Sequence, residues 1–207
     1  ANICTVHFGH RWRAGGRAAC SCADALSVGA RRARVGVVAS SGGDTTWINL
    51  LGDPREHYIS QLDWAGDSDQ LILQQFNRLQ NTNHLFLASA RTGEVRTVQT
   101  ERDAAWVDNH NPRLHWIENH SKLVWLSERN GWQHAYLIAL ADGQAKPITS
   151  GKFDVIGIER LDEPGGWLYY AASPENATQR YLFRTRLDGS KTERVTPLDQ
   201  PGTHNYS

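Results

Sequence analysis

From Arg34 onward the chain is written in short runs rich in Val, Ile, Leu, Trp and Tyr, with Gly, Asp, Asn and Pro between them at close intervals. Such a texture predicts antiparallel strands joined by tight turns, and so an all-β protein. The run RYLFRTRL at 180–187 alternates cleanly, with Tyr181, Phe183 and Leu187 on one face and Arg180, Arg184 and Arg186 on the other. It reads as a strand partly facing water. AYLIAL at 135–140 is apolar on both faces, which predicts a strand buried between layers. No amphipathic helix of ordinary length stands out.

The runs recur in a fixed order. The turn pieces SGGD, RTGE, ADGQ and LDGS place glycines at 43, 93, 143 and 189, spacings of 50, 50 and 46 residues. Each follows a strand-like run and precedes a shorter polar one. Upstream of three of these pairs lie two further runs: ISQLDW with LILQQF, LHWIE with LVWLSE, and VIGIERL with WLYYAA. Four antiparallel strands per unit of about 40 to 50 residues is the blade of a β-propeller. The expected architecture is therefore a partial β-propeller of four-stranded antiparallel blades, about three and a half in all. Complete blades are expected at about 58–100, 113–150 and 154–198, with a half blade at about 34–51. The structural turns expected to hold them are Gly43, Gly93, Gly143, Gly189 and the pair Asn130–Gly131, read as a two-residue hairpin with positive φ at both positions. Trp64, Trp116, Trp125 and Trp167 are placed to fill the space between blades.

Residues 1–33 break this pattern. They carry Arg11, Arg13, Arg17, Arg31 and Arg32 against the single acid Asp24, and all three cysteines of the chain, Cys4, Cys20 and Cys22. The segment reads as a transit-like leader, an irregular loop or a shifted reading frame in a GC-rich gene, and little order is expected in it. The cysteine spacing matches no familiar zinc or haem pattern. The formal net charge is zero and the basic residues are dispersed, so nucleic acid is not an expected partner. No run of about 18 apolar residues is present to span a bilayer as a helix. The absence of methionine and the stop just after a turn suggest a piece of a longer protein.

Chemistry is thinly represented. The chain contains no G-x-S-x-G, P-loop, dinucleotide fingerprint or H-E-x-x-H. No catalytic residue, metal ligand or cofactor is expected, and substrate-binding residues stay unassigned. His110, His115 and His120 are spaced by five, which sets successive members on opposite faces of a strand, whereas ligands must converge. His134 reads as a structural donor with no Ser or Cys beside it to activate. Glu128 and Arg129 read as a solvated hairpin end, and the acids at 67–69 and 161–164 as turn composition. Asn119, Asn176 and Asn205 open N-x-S/T triplets, which matter only in a glycosylating host.

Several of these segments carry a family resemblance. RVGVV, GDPREHYISQLDW, AAWVDNHNPRLHW, LVWLSERNGWQHAYLI, ITSGKFDVIGIERLDEPGGWLYYAAS and RYLFRTRLDGSKTERVT resemble the N-terminal propeller of dipeptidyl-peptidase IV-like serine peptidases, in the prolyl oligopeptidase group. The likeness runs from about Ala33 to the end. It is carried most specifically by S-E-R-x-G-W-x-H-x-Y at Ser127–Tyr136 and I-G-I-E at Ile156–Glu159. The resemblance implies a propeller of about eight blades that restricts access to a C-terminal α/β-hydrolase domain of the same parent chain. It also implies peptide substrates with a penultimate proline or small residue, and a homodimer of the parent. Relatives of this type are often periplasmic or membrane-anchored. The family's amine-binding glutamates and catalytic triad have no counterpart here, so this chain alone is expected to be inactive. At the front, HRWRAGGRAACSCADALSVGARRARVGVV lacks the Tyr-Pro and Asn-Pro pieces typical of relatives, and only Ala14–Gly15 faintly matches. Two other readings stand beside this one: a stand-alone propeller that binds protein or glycan, and, more weakly, a propeller enzyme of sugar chemistry.

Overall fold

The computed structural model describes residues 12–14, 17–24, 32–39, 41–66, 69–108 and 114–204, the first two stretches and Arg32 through their backbone alone. Every regular element among the described residues is a strand. The strands form four antiparallel sheets of four, each with its members hydrogen-bonded in chain order. The chain is thus all-β, a partial β-propeller of four-stranded blades. Its contacts divide it into two units, residues 1–112 and 113–207, each holding two blades.

In the first unit, β1 (Trp12–Ala14), β2 (Arg17–Asp24), β3 (Arg32–Ala39) and β4 (Thr46–Trp47) make one sheet. The half blade expected at 34–51 corresponds to β3 and β4. β2 pairs with β3 along its whole length, from Arg17 opposite Ala39 to Asp24 opposite Arg32. The rest of the segment expected to be a leader, residues 1–11, 15, 16 and 25–31, lies outside the described residues.

The second sheet comprises β5 (His57–Trp64), β6 (Gln70–Asn77), β7 (Thr82–Ser89) and β8 (Val95–Arg102). Alternation decides what it buries. Leu71 and Leu73 pair with Ala88 and Phe86, so all four share one face, and that face packs against Val35, Val37 and Ile48 of the first sheet. Removing the Leu, Phe, Val and Ile side chains among these from water contributes about 1.5–3 kcal/mol each.

In the second unit, β9 (His115–Ile117), β10 (Lys122–Ser127), β11 (His134–Ala139) and β12 (Ala145–Pro147) make one sheet. β13 (Val155–Asp162), β14 (Trp167–Ala172), β15 (Tyr181–Arg186) and β16 (Thr192–Arg194) make the other. Val124, Leu126, Ala135 and Ile148 of the first meet Val155, Leu168, Tyr170 and Ala172 of the second. The faces of β15 separate as its alternation requires: Phe183 and Leu187 join this core, while Arg184 and Arg186 sit over the ring of Trp167 on the other face, at 4.3 and 4.1 Å.

Two first strands depart from simple alternation. In β5 a bulge at Ser60 separates the pairs Ile59–Gln75 and Gln61–Gln74. In β13, Ile156 and Glu159 are extra residues between successive pairs. A bulge sets two residues against one and so resets which face the strand presents. Val155, Ile158 and Leu161, three apart in sequence, consequently lie opposite Ala172, Tyr170 and Leu168 and enter one core.

Candidate functional site

The residues singled out by the sequence fall mostly into turns and into the fasteners between neighbouring blades. Of the expected turn glycines, Gly43, Gly93, Gly131, Gly143 and Gly189 all have positive φ. The Asn130–Gly131 connection differs from the two-residue hairpin expected. β10 ends at Ser127 and β11 begins at His134, so the link spans 128–133, and only Gly131 (φ 87°) takes the left-handed conformation. The Gly131 N–H donates to the Glu128 carbonyl at 2.8 Å, closing a turn in which Asn130 keeps negative φ. The physical reason is length: six linking residues do not need the doubly left-handed turn that two would.

Gly93 does more than turn the chain. A Cβ on it would lie 2.1 Å from the Trp47 carbonyl oxygen, while its own carbonyl accepts the Asn49 N–H at 2.8 Å. The outer hairpin of the second blade therefore docks backbone to backbone on the outer strand of the first. Gly189 takes the corresponding place in the second unit but packs less tightly, with the carbonyls of Pro147 and Ile148 each 3.4 Å from a notional Cβ, an ordinary contact.

A second fastener lies at the other end of each blade pair. In the first unit Ala33 donates its N–H to the Pro54 carbonyl and accepts from His57 Nε2, both at 2.9 Å. In the second unit Gln133 makes three bonds to the next blade. Its N–H reaches Asp154 Oδ1 at 2.7 Å, its Nε2 donates to the Val155 carbonyl at 2.6 Å, and its carbonyl accepts the Val155 N–H at 2.8 Å. Sequence reasoning missed Gln133 and Asp154, because nothing in their local pattern marks residues that bond across blades.

His134 is buried beside this fastener. Its Nε2 faces the Gly151 carbonyl at 3.1 Å and so must carry the proton; its Nδ1 then accepts from the Thr149 hydroxyl at 3.0 Å, and Thr149 Oγ1 accepts the Ala135 N–H at 2.9 Å. The ring is thereby spent on holding strands. His115 lies on β9, while His120 lies beyond it in a turn where Glu118, Asn119 and His120 have φ of 50°, 52° and 66°. That turn lays the His120 ring 5.1 Å from Trp116 instead of across a strand from His115. His110 lies outside the described residues. Among the described residues no three His, Cys, Asp or Glu side chains converge on a point.

The acids behave as turn composition. Asp69 pairs with Arg91 at 2.7 Å, Asp162 accepts the Gly165 N–H at 3.1 Å, and Glu163 accepts the Glu118 N–H at 2.6 Å. Asp67 and Ser68 lie outside the described residues. At the expected hairpin end Arg129 folds back, its backbone N–H and Nε donating to Ser127 Oγ and its guanidinium lying 4.7 Å over Tyr136. On β13 the extra residue Glu159 pairs with Arg180 at 2.8 Å. Trp64 and Trp125 are buried, whereas Trp116 and Trp167 are half-buried.

The family model described as the dipeptidyl peptidase IV N-terminal region matches residues 29–207. The chain is 27% identical over 157 residues to the "Probable dipeptidyl peptidase 4" of Emericella nidulans, covering 70% of this chain and 20% of that protein. It is 25% identical over 161 residues to the dipeptidyl peptidase 4 of Arthroderma otae, covering 75% of this chain and 20% of that one. The crystal structure of Porphyromonas gingivalis dipeptidyl peptidase 4 superimposes with a TM-score of 0.74 at 18% identity, over 90% of this chain and 29% of its own. The chain thus spans about a fifth of the length of the curated relatives it matches.

Proposed function

The chain belongs to the dipeptidyl peptidase IV N-terminal region family, and from that premise we propose that it is the non-catalytic, substrate-gating propeller segment of a dipeptidyl peptidase IV-like serine exopeptidase. The substrates of the parent are peptides with proline or a small residue in the penultimate position. The observation that carries this reading is the family match over residues 29–207, which takes in the complete second, third and fourth blades. In this reading the partner is a C-terminal α/β-hydrolase domain of the same parent chain, which brings the nucleophile that the segment lacks; no G-x-S-x-G occurs here. The parent acts as a homodimer. The blades restrict the approach to the serine, so that short peptides and chain ends react and folded chains do not.

The test is to sequence the gene beyond residue 207 and express the full-length product. The expected product carries a G-x-S-x-G domain and releases dipeptides from short X-Pro peptides, whereas the 207-residue chain alone releases none. A gene that ends without a hydrolase domain, or a parent that cuts internal bonds of long chains as fast as it trims short peptides, would overturn the proposal.

A further inference from the structure

One motif remains unabsorbed by the peptidase reading, and the structure separates its copies. Asn119, Asn176 and Asn205 each open an N-x-S/T triplet; Asn205 lies outside the described residues. Asn176 sits in the link between β14 and β15, residues 173–180, where 174–178 are all exposed. Its Oδ1 accepts both the backbone N–H of Thr178, at 3.0 Å, and the hydroxyl of Thr178, at 2.9 Å. The carbonyl of Asn176 takes the Gln179 N–H at 3.0 Å, completing an exposed turn. Glu175, next to it, is tied to Arg194 at 3.2 Å, which fixes the base of the link.

The copy at Asn119 is built differently. It occupies the left-handed turn after β9 with φ 52°, and the hydroxyl of its third residue, Ser121, donates to the Glu118 carbonyl at 2.8 Å. That hydroxyl is engaged by a backbone carbonyl, whereas the Thr178 hydroxyl bonds the carboxamide of its own triplet.

We propose that Asn176 is an acceptor for N-linked oligosaccharide in the folded chain, and that Asn119 is not. The co-reactant is a polyprenyl-diphosphate-linked oligosaccharide presented by a transferase. Asn176 Nδ2 forms a bond to C1 of the first sugar, the C1–O bond to the diphosphate breaks, polyprenyl diphosphate leaves, and one Nδ2 proton passes to a base on the transferase. As that proton departs, negative charge spreads onto Oδ1, where the N–H and O–H of Thr178 are already aimed. Donors held in place where charge develops are the economical way to stabilise such a step.

The purified chain is incubated with a single-subunit oligosaccharyltransferase and a polyprenyl-diphosphate oligosaccharide, and trypsin separates the peptides bearing Asn119 and Asn176 for mass spectrometry. An acceptor peptide in the same reaction reports that the transferase is active. Occupancy at Asn176 is expected to exceed that at Asn119 roughly five-fold or more, the ratio one hydrogen bond supports. Thr178→Ser should retain the modification and the near-isosteric Thr178→Val should lose it. Circular dichroism of each variant confirms that the fold is unchanged. An unmodified Asn176 beside a modified acceptor peptide, equal occupancy at the two sites, or full occupancy in Thr178→Val would each overturn the proposal.

Discussion

The Cα of Gly93 lies against the backbone carbonyl of Trp47, so close that a Cβ would stand 2.1 Å from that oxygen. Two constraints therefore meet at one residue. Its φ of 76° is left-handed, and its neighbour is backbone that cannot rotate away. Gly131 shares only the first constraint, since nothing lies within 4 Å of its notional Cβ. Gly131→Ala should cost about 1–2 kcal/mol, the left-handed penalty alone. Gly93→Ala should cost roughly 3 kcal/mol or more, because displaced packing adds to that penalty. Thermal unfolding of the two variants checks this. Equal losses would mean that the first and second blades are not fastened through Gly93.

The fastener at Gln133 should be equally measurable. Gln133→Ala deletes the Nε2 donor to the Val155 carbonyl and leaves that buried oxygen without its side-chain partner, a loss of about 1–3 kcal/mol. Lys152→Ala, at an exposed position nearby, should fall within about 0.5 kcal/mol of the parent chain. Hydrogen exchange supplies the local readout: the Val155 amide, which donates to the Gln133 carbonyl, should lose protection in Gln133→Ala. Unchanged exchange at Val155 would show that the blades are held there by apolar packing alone.

These fasteners also mark what one sequence can reveal. The blade repeat was legible because turn glycines punctuate it and because strands such as β15 alternate plainly. β13 was harder. Val155, Ile158 and Leu161 recur every three residues, a spacing closer to a helical stripe than to a strand, and only the bulges at Ile156 and Glu159 bring them to one face. The strand could be named from its company, WLYYAA and the turn between, but its register could not. Cross-blade partners such as Asn49 with Gly93 lie 44 positions apart and leave no local trace. The two-residue reading of Asn130–Gly131 failed for a related reason. An Asn-Gly pair reports a turn, whereas the strand ends at Ser127 and His134 that set its length are fixed by pairing across the sheet.

His84 gives the first unit a predictable response to acid. On β7 its ring stacks on Phe86 at 5.3 Å and its Nδ1 lies 3.0 Å from Thr100 Oγ1. Burial first, and the nearby Arg102 second, hold its pKa below the ordinary imidazole value. The folded state then binds fewer protons than the unfolded one as pH falls past about 6.5, so stability is full above that value and declines as pH drops toward the depressed folded pKa. His84→Gln should flatten this part of the curve. A midpoint that falls equally in both proteins between pH 7 and 5 would assign the acid response elsewhere.

Tyr170 sets the opposite limit. Its side chain fills the core between the two blades of the second unit, and burial pushes the phenol up to about 12, against a smaller opposing effect of the nearby Thr192 hydroxyl. A raised folded pKa means that the folded state keeps its proton after the unfolded state has released it. The stabilisation is complete below about pH 10 and is lost as pH climbs through 12, amounting to roughly 3 kcal/mol over that interval. Tyr170→Phe removes the titrating group while keeping the ring, so it should be the more resistant protein between pH 10 and 12 even if slightly weaker at neutrality. Denaturant unfolding at both pH values, with phenolate absorbance followed in parallel, decides the matter. A wild-type chain whose stability is flat to pH 12, or whose phenols all ionise together near 10 with the fold intact, would show that water reaches Tyr170 and that the core between these two blades is not closed around it.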